Sequence, residues 1–383
     1  MKANNICAIL GNVPRFDGLL PLTENRPLDT LPFDCKYRLI DFPLSSIANA
    51  NVHSMFMVFN EGETRSLFDH IGGGKEWNLD SVQNSFFIYF HQDFLKQKKE
   101  GLPYYASIID YLEKSEAEYT VFLGSNMLCA IDLRDVLKFH EQKKNQLTVV
   151  YKKTDRGTVS LKDYVVDITE SETAQNVQLF DEQDKAETFN LCMDIYLVQT
   201  KWLIEQLEIG QQNDSPINIQ KYLRSKIGEV ETSAYEYTGY LANIYDLQSY
   251  FKANMDMLEQ KNYQSLLYSN QKIYTKLKNE VPTYYSEESK IKNSQCATGC
   301  IIEGSLENSL VSRRTSVKKG ASIKHAIIMS SATIGENAKV EYAILDKNVT
   351  VEAGVTICGT PEFPVIIEKG QTVSKDVLGG IDE

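Results

Sequence analysis

The sequence predicts two domains: an α/β domain with a mostly parallel sheet, and a C-terminal β-helix made of short parallel strands. The chain has 383 residues, more than one hydrophobic core usually organises. Between residues 5 and 242, short apolar runs such as ICAIL and YTVFLG alternate with amphipathic stretches such as ASIIDYLEKSEAE, which is typical of βα units. From about residue 300 to residue 367 the apolar positions recur at a different, six-residue spacing.

The six-residue spacing predicts a three-sided β-helix. Aliphatic residues stand five or six apart at Val311, Val317, Ile323, Met329, Ile334, Val340, Leu345, Val351 and Ile357. Small or branched residues follow several of them four positions later, at Thr315, Ala321, Ala338, Ile344 and Val355. A unit this short cannot bury its own apolar side and must stack on the next unit. The alternative, a set of ordinary hairpins, predicts alternation with a period of two.

The two periodic regions are separated by a helix and a polar segment. The helical pattern LQSYFKANMDMLEQ leads into NEVPTYYSEESKIKNSQ, which has neither period. We therefore place the α/β domain at residues 1–260, a linker at 261–295 and the β-helix at 296–383.

Composition argues against several classes of protein. The net charge of -12 disfavours a nucleic-acid partner, and no apolar run approaches the length of about 20 residues that spans a membrane. The first ten residues, MKANNICAIL, lack the long apolar segment of an export signal. The seven scattered cysteines include one close pair, Cys296 and Cys300, with no second pair to complete a zinc site. We expect a cytoplasmic protein with reduced thiols.

One N-terminal segment narrows the class of protein. The stretch KYRLIDFPLSSIANANV, together with SLFDHIGGGKEWNLD, the helix SYFKANMDML and the coil segment LENSLVSRRTSVKKGAS, resembles the ADP-glucose pyrophosphorylase (glucose-1-phosphate adenylyltransferase) family. The resemblance covers nearly the whole chain. It implies a Rossmann-like nucleotidyltransferase domain, a left-handed parallel β-helix of hexapeptide repeats, and a tetrameric assembly.

The phosphate-binding loop departs from the family pattern. The family has a glycine-rich loop, G-G-x-G-x-R-L, whose backbone N–H groups approach phosphate oxygens. Here the loop reads LGNVPRFDGLLPLT, with a branched side chain at Val13 and no N–H at Pro14. Gly11, Arg15 and Gly18 remain, and the resemblance implies that Gly11 and Arg15 are remnants of a substrate site.

Both metal-binding carboxylates of the family pattern are also replaced. The resemblance aligns them with Ser125 and Asn243, which are neutral and are poor ligands for Mg²⁺. Asp132 and Asp246 are the nearest carboxylates that could compensate, although both precede predicted helices and suit N-caps better. We therefore expect no catalytic residue and no bound metal in this chain, with Mg²⁺ held by a catalytic partner.

The remaining family positions concern the sugar phosphate and the effector. Near the predicted sugar-phosphate pocket, Lys185 and Asp194 are candidate remnants of substrate binding, and Lys185 suits an ordinary surface lysine as well. In the KYRLID segment the resemblance implies effector or interface roles for Lys36, Arg38 and Asp41. The family's effector lysine in R-A-K-P is lost, since the chain has Leu28 in Arg26-Pro27-Leu28-Asp29.

The sequence thus favours a regulatory, catalytically impaired subunit that assembles with a catalytic homologue. The expected partners are that homologue, in a heterotetramer, and a sugar-phosphate or nucleotide effector; alone, the chain is expected to form a homo-oligomer. Two alternatives remain open: an active nucleotidyltransferase that uses Arg15, Asp132 and Asp246, and a stand-alone sugar-phosphate sensor. Acyl transfer is disfavoured, because His325 is the one histidine in the coil and suits an outward corner.

Overall fold

The computed structural model describes residues 5–11, 13, 15–61, 64–80, 85–213 and 216–379. The first domain contains the following elements, in chain order: β1 Ile6–Gly11, β2 Pro32–Phe33, β3 Tyr37–Arg38, α1 Asp41–Asn49, β4 Ser54–Phe59, α2 Arg65–Ile71, β5 Ser85–Phe90, α3 His91–Lys99, α4 Ala106–Ser115, β6 Tyr119–Leu123, β7 Met127–Leu128, α5 Leu133–Lys143, β8 Leu147–Asp155, β9 Tyr164–Ile168, β10 Thr173–Leu179, β11 Thr188–Gln199, α6 Thr200–Gln212, α7 Ile219–Ser225, β12 Thr232–Glu236, β13 Ala242–Asn243, α8 Leu247–Met255 and α9 Gln260–Leu267. Among the described residues of this domain there are also five 3₁₀ turns, at Asp17–Leu19, Leu28–Thr30, Lys75–Trp77, Arg156–Thr158 and Asp256–Leu258.

A large sheet with the strand order β5-β4-β1-β6-β11-β8-β12-β10-β9 forms the centre of this domain. Strands β5, β4, β1 and β6 pair in parallel, as does β12 with β8, whereas β11, β10 and β9 pair antiparallel. Alternate residues of β1 enter two different cores, Ala8 on one face of the sheet and Ile9 on the other. The sheet is therefore covered on both faces, which explains why its strands read as continuous apolar runs.

The second domain is the predicted parallel β-helix. Its strands are β14 Tyr284–Tyr285, β15 Lys290–Lys292, β16 Gln295–Cys296, β17 Ile301–Ile302, β18 Ser305–Glu307, β19 Leu310–Val311, β20 Ser316–Val317, β21 Ser322–Ile328, β22 Thr333–Ile334, β23 Lys339–Leu345, β24 Thr350–Val351, β25 Thr356–Cys358, β26 Val365–Ile367, β27 Thr372–Val373 and β28 Val377–Leu378. All pairings among these strands are parallel. Together with the α/β domain they confirm the predicted fold class, including the left-handed β-helix of hexapeptide repeats.

The six-residue pattern predicted most of the interior of the coil correctly, but Met329 and Ile344 pack in the core shared with the α/β domain instead of inside the coil. Val311, Val317, Ile323 and Ile334 are all fully buried and pack in one core. The corners between the sides hold residues with positive φ, such as Asn308 at 47° and His325 at 46°. His325 stacks on Tyr342, the equivalent corner of the next turn, with ring centroids 4.7 Å apart.

The coil begins earlier than the predicted boundary at residue 296. Strands β14 and β15 already pair with β17 and β18, so the second half of the predicted linker belongs to the coil. The first part of that linker contains α9, and the segment that follows α9 is hydrogen-bonded to the α/β domain. For example, the amide of Tyr274 donates to Ser45 Oγ at 2.8 Å.

The two domains share a core of their own. Phe33, Phe42 and Tyr250 of the α/β domain cluster with Ile327 and Met329 of the coil. A buried ion pair between Arg26 and Asp346 crosses the same boundary. In the described part of the chain, no helix is long and apolar enough to cross a membrane.

Candidate functional site

The two family carboxylate positions lie close together at the carboxyl end of the central strands. Ser125 follows β6, and Asn243 lies in β13, which pairs with β7. The amide of Ile244 donates to the carbonyl oxygen of Asn126 at 2.9 Å, which joins the two segments directly. The structure thus brings both predicted positions to the edge of the sheet where α/β proteins bind their ligands.

Each of these two neutral side chains is bonded to a carboxylate of the protein itself. Ser125 Oγ donates to Asp29 Oδ1 at 2.6 Å, and both residues are buried. Asn243 Nδ2 donates to Asp163 Oδ2 and to the carbonyl oxygen of Thr158, the latter at 3.2 Å. Both positions therefore supply hydrogen-bond donors where the family pattern supplies metal-binding oxygens.

Sequence reasoning missed both partner carboxylates. Asp29 lies in a segment that the family pattern connects with the effector, and Asp163 precedes Asn243 by 80 residues with no motif linking them. Burial raises the pKa of Asp163 to about 6, against the opposing effect of its hydrogen bonds from the Ser160 amide and Asn243. Across the described ranges, no three His, Cys, Asp or Glu side chains are grouped so that they could hold a metal ion.

The carboxylates proposed as replacement ligands are helix N-caps. Asp132 accepts the amide of Arg134 at 2.9 Å, also pairs with that residue's guanidinium, and accepts Gln271 Nε2 at 2.7 Å. Asp246 forms a capping box with Ser249 at the start of α8. These hydrogen bonds account for both carboxylates without a metal.

The phosphate-side loop has an apolar environment. Gly11 and Val13 line a small cavity together with Ile9, Phe94, Ile108, Phe122 and other side chains, and only about 20 Å³ of free space remains there. This volume is close to that of one water molecule. Arg15 is exposed, and Pro14 lies outside the described residues. A nucleotide base does not fit into this space as it stands.

Lys185 and Asp194, the predicted remnants of the sugar-phosphate pocket, have very different surroundings. Lys185 is exposed in the loop between β10 and β11. Asp194 is 8% exposed and lies at a bulge in β11, with a φ of 52°. The side chain of Lys185 is therefore open to solvent, whereas that of Asp194 is enclosed by the protein.

Asp194 accepts hydrogen bonds at both carboxylate oxygens. Oδ1 accepts from Tyr196 Oη at 2.6 Å and from Arg224 Nε at 3.0 Å. Oδ2 accepts from Gln220 Nε2 at 2.6 Å and from Arg224 Nη2. These four bonds fill the roughly four acceptor sites of a carboxylate, so a sugar hydroxyl would have to displace one of them.

The predicted effector residues line a basic cleft between the two domains. Lys36 and Arg38 face Arg313, Arg314 and Lys347 of the coil across a cavity of about 130 Å³. The lining also includes Lys278 and a single acidic side chain, Glu280. An excess of cations in a cavity of this size suits a small anion such as a phosphate group.

Asp41 contacts the cleft indirectly, through the backbone of Arg38. Its Oδ2 accepts the amide of Arg38 at 2.9 Å, and its Oδ1 bonds to Nε2 of His70. Asp41 is fully buried, so its role is to hold the Arg38 segment in place. The coil residues of the cleft escaped sequence reasoning, because only the register of the coil brings them opposite Lys36.

Burial and the neighbouring positive charges disfavour the charged forms of the cations in this cleft. Burial, together with the positive charges of Arg38 and Arg26, lowers the pKa of Lys347 to about 7. Burial also lowers the pKa of Arg38 to about 10. A bound anion would reverse this effect, because it favours the charged form of each group.

The α/β sheet, the altered turns at its carboxyl edge and the hexapeptide coil together define a nucleotidyltransferase-type protein. The nucleotidyl transferase family model matches residues 17–260, and the model of the GlmU-like C-terminal hexapeptide matches residues 280–363. The chain therefore belongs to the nucleotidyl transferases, and within them to the ADP-glucose pyrophosphorylase (glucose-1-phosphate adenylyltransferase) family, as the sequence resemblance predicted.

Individual relatives support this assignment. The chain is 30% identical to the glycogen biosynthesis protein GlgD of Bacillus subtilis (strain 168), over 97% of each chain. It is also 30% identical to GlgD of Geobacillus stearothermophilus, over 98% of this chain and 99% of the relative. It is 27% identical to the glucose-1-phosphate adenylyltransferase of Bacillus cereus, over 88% of this chain and 91% of the relative.

Proposed function

We propose that this chain is a regulatory subunit of ADP-glucose pyrophosphorylase in glycogen biosynthesis and is not itself catalytic. The single observation that carries this proposal is the pairing of Ser125 with Asp29 and of Asn243 with Asp163. Transfer of an adenylyl group from ATP to glucose 1-phosphate needs Mg²⁺ to neutralise the charge that develops on the phosphates. In this proposal, a catalytic homologue in a heterotetramer supplies the metal site.

Assembly with the homologue would let this chain shift the equilibrium between active and inactive conformations of the enzyme. A subunit can do so when it binds one conformation of its partner better than the other. The shared core and the Arg26–Asp346 pair make the α/β domain and the coil one packed unit, which favours transmission of a change at the interdomain cleft. Alone, the chain is proposed to form a homo-oligomer.

The proposal is tested by mixing. ADP-glucose formation is measured for this chain alone, for the catalytic homologue alone and for the purified mixture at equal total concentration. We expect negligible turnover by this chain, and higher activity or a changed effector response in the mixture. Size-exclusion chromatography with light scattering checks that a heteromer has formed. Robust turnover by this chain alone, or a heteromer with unchanged kinetics, would contradict the proposal.

The effector of this subunit is proposed to be an anion, such as a sugar phosphate, bound in the basic cleft. Lys347 gives this site a testable pH dependence. Since its pKa is lowered to about 7, Lys347 is mostly charged at pH 6 and mostly neutral at pH 8. Sulfate is a suitable probe because it remains a dianion over this range. We expect sulfate affinity to fall about tenfold from about pH 6 to about pH 8, measured by calorimetry.

The control variant is Lys347→Met, which removes the titrating group and retains the length of the side chain. This variant should bind sulfate weakly at both pH values, with little slope between them. A wild-type affinity that does not change with pH, or a Lys347→Met variant with the full slope, would show that Lys347 does not contact the anion.

A further inference from the structure

The two ends of the large sheet differ in how their outer strands are covered. β9, the last strand in the order, also pairs with β11, so its outer side is partly closed. β5, at the opposite end, pairs with β4 alone among the described residues. One side of β5 therefore carries backbone N–H and C=O groups that no strand in the described part of the chain engages.

The composition of β5 is that of an interior strand. Its sequence, SFFIYF, contains four aromatic residues and one isoleucine, with no charge, proline or glycine. Natural proteins protect a free strand edge with lysine, proline, a bulge or a very short strand. β5 has six residues, pairs with β4 in unbroken register and has none of these features. A strand of this kind at the edge of a sheet indicates that another strand covers it.

Side chains on both faces of the sheet hold β5 in place. Phe86 and Ile88 pack against the core on one face. On the other face, Tyr89 stacks on Phe56, with ring centroids 4.7 Å apart. Phe87 is nevertheless 44% exposed, and the remaining described side chains of the strand are half-buried. The edge is thus fixed in position and still has apolar surface to bury.

A second copy of the same strand fits this edge. A twofold axis perpendicular to the sheet makes two copies of β5 antiparallel and keeps each side chain on its own face. When the axis passes through Ile88, Phe87 lies opposite Tyr89 of the second copy and Phe86 lies opposite Phe90. Aromatic cross-strand pairs of this kind are stabilising, and the strand has no charge that would repel its own copy. We infer that β5 pairs antiparallel with β5 of a second copy of this chain, which joins the two sheets into one.

The neighbouring helix adds to the surface that such a pair can bury. A stable interface covers about 1,200–2,000 Å² in total, more than two short strands provide by themselves. Helix α3 follows β5 directly, and its Phe94 ring stacks on Tyr89. The next residue, Leu95, is 47% exposed and offers further apolar surface. This inference rests on the proposed homo-oligomer and assigns a contact surface to it.

A charge at the edge tests the pairing. In Phe87→Lys, the two copies carry lysines at diagonal positions across the axis, close enough to repel each other. We expect the molar mass of the full chain, measured by size-exclusion chromatography with light scattering at about 10 μM, to fall by half. Lysine is a residue that natural edges use, so the fold should persist, as denaturant unfolding will verify. Leu161→Lys is the matched control: Leu161 is 55% exposed just before β9, at the other end of the sheet, and this variant should keep the wild-type mass.

A charge swap makes the test independent of any effect on folding. Phe87→Glu alone should also halve the mass, whereas an equimolar mixture of Phe87→Lys and Phe87→Glu should recover it, because opposite charges then meet across the axis. A folded Phe87→Lys variant with the wild-type mass, or a mixture that stays at half the mass, would overturn the inference. The regulatory proposal would still stand, since the mixing assay decides it.

Two other outcomes would also count against the inference. A monomeric wild-type chain would contradict both the proposed homo-oligomer and the pairing of β5. A Phe87→Lys variant that keeps its homo-oligomer but no longer binds the catalytic homologue would assign β5 to that partner and not to a second copy.

Discussion

Restoring aspartate at both family carboxylate positions is expected to destabilise this chain and not to make it active. In Ser125→Asp/Asn243→Asp, each new carboxylate replaces a side chain that donates a hydrogen bond to Asp29 or Asp163. Two carboxylates then share each buried position. Because like charges at this distance cannot both ionise without a large cost, we expect a loss of about 3–5 kcal/mol in the free energy of unfolding at about pH 8.

The pH dependence of this loss has a definite sign. Burial and a neighbouring negative charge raise the pKa of a carboxyl group in the folded state, as burial already does for Asp163. The folded double variant therefore binds more protons than the unfolded chain above about pH 4, and its stability falls as the pH rises. The deficit relative to the wild type should be smaller at about pH 5 than at about pH 8.

Denaturant unfolding at the two pH values, followed by the fluorescence of the α/β domain, measures the deficit. Ser125→Ala/Asn243→Ala is the matched control, because it removes the same hydrogen bonds without adding charge. A double aspartate variant that is stabilised by millimolar Mg²⁺ and gains turnover would contradict the prediction. That outcome would mean that Asp29 and Asp163 can bind Mg²⁺ once a second carboxylate stands beside each of them.

The architecture of the coil could be predicted from the sequence because the spacing of its buried aliphatic residues is short and repeats along the chain. Val317, Ile323 and Ile334 follow a spacing that only stacked short strands can bury. The starting point of the coil was harder to read. Tyr284 and Ile291, in the first strands, are exposed, so the apolar period is absent from the turn that begins the stack.

The candidate site could be predicted only in part, because short sequence motifs identify some of its residues and not their partners. Family motifs identified Ser125 and Asn243, and the pairing of β13 with β7 brings their segments together. The carboxylates that accept hydrogen bonds from these two residues belong to Asp29 and Asp163. Both are distant from their partners in the sequence, and only the tertiary fold brings them into contact. The same is true of Asp194. Its position in a family motif could be identified from the sequence, but its ion pair with Arg224 could not.

That ion pair leads to the second large effect. Arg224 and Asp194 are each 8% exposed, and the Arg224 guanidinium also lies 3.8 Å from the centroid of the Tyr164 ring. Replacing Arg224 by methionine keeps much of the volume but leaves the Asp194 carboxylate buried without its cation. We expect Arg224→Met to lower the free energy of unfolding of the α/β domain by about 3–5 kcal/mol.

A second substitution separates lost charge from lost packing. In Arg224→Met/Asp194→Asn the buried negative charge is gone, and asparagine tolerates the left-handed backbone at this position, where φ is 52°. Most of the stability should therefore return in the double variant. Lys114→Met is the control for removing a cation as such, because the Lys114–Asp110 pair is exposed, with side chains 73% and 60% accessible, and its loss should change stability little. If Arg224→Met were as mild as Lys114→Met, the charge of Asp194 would have to be satisfied by Tyr196, Gln220 and the weak donor Cys192. The carboxylate would then have an acceptor site to spare for a ligand, and its predicted role as a remnant of sugar-phosphate binding would regain support.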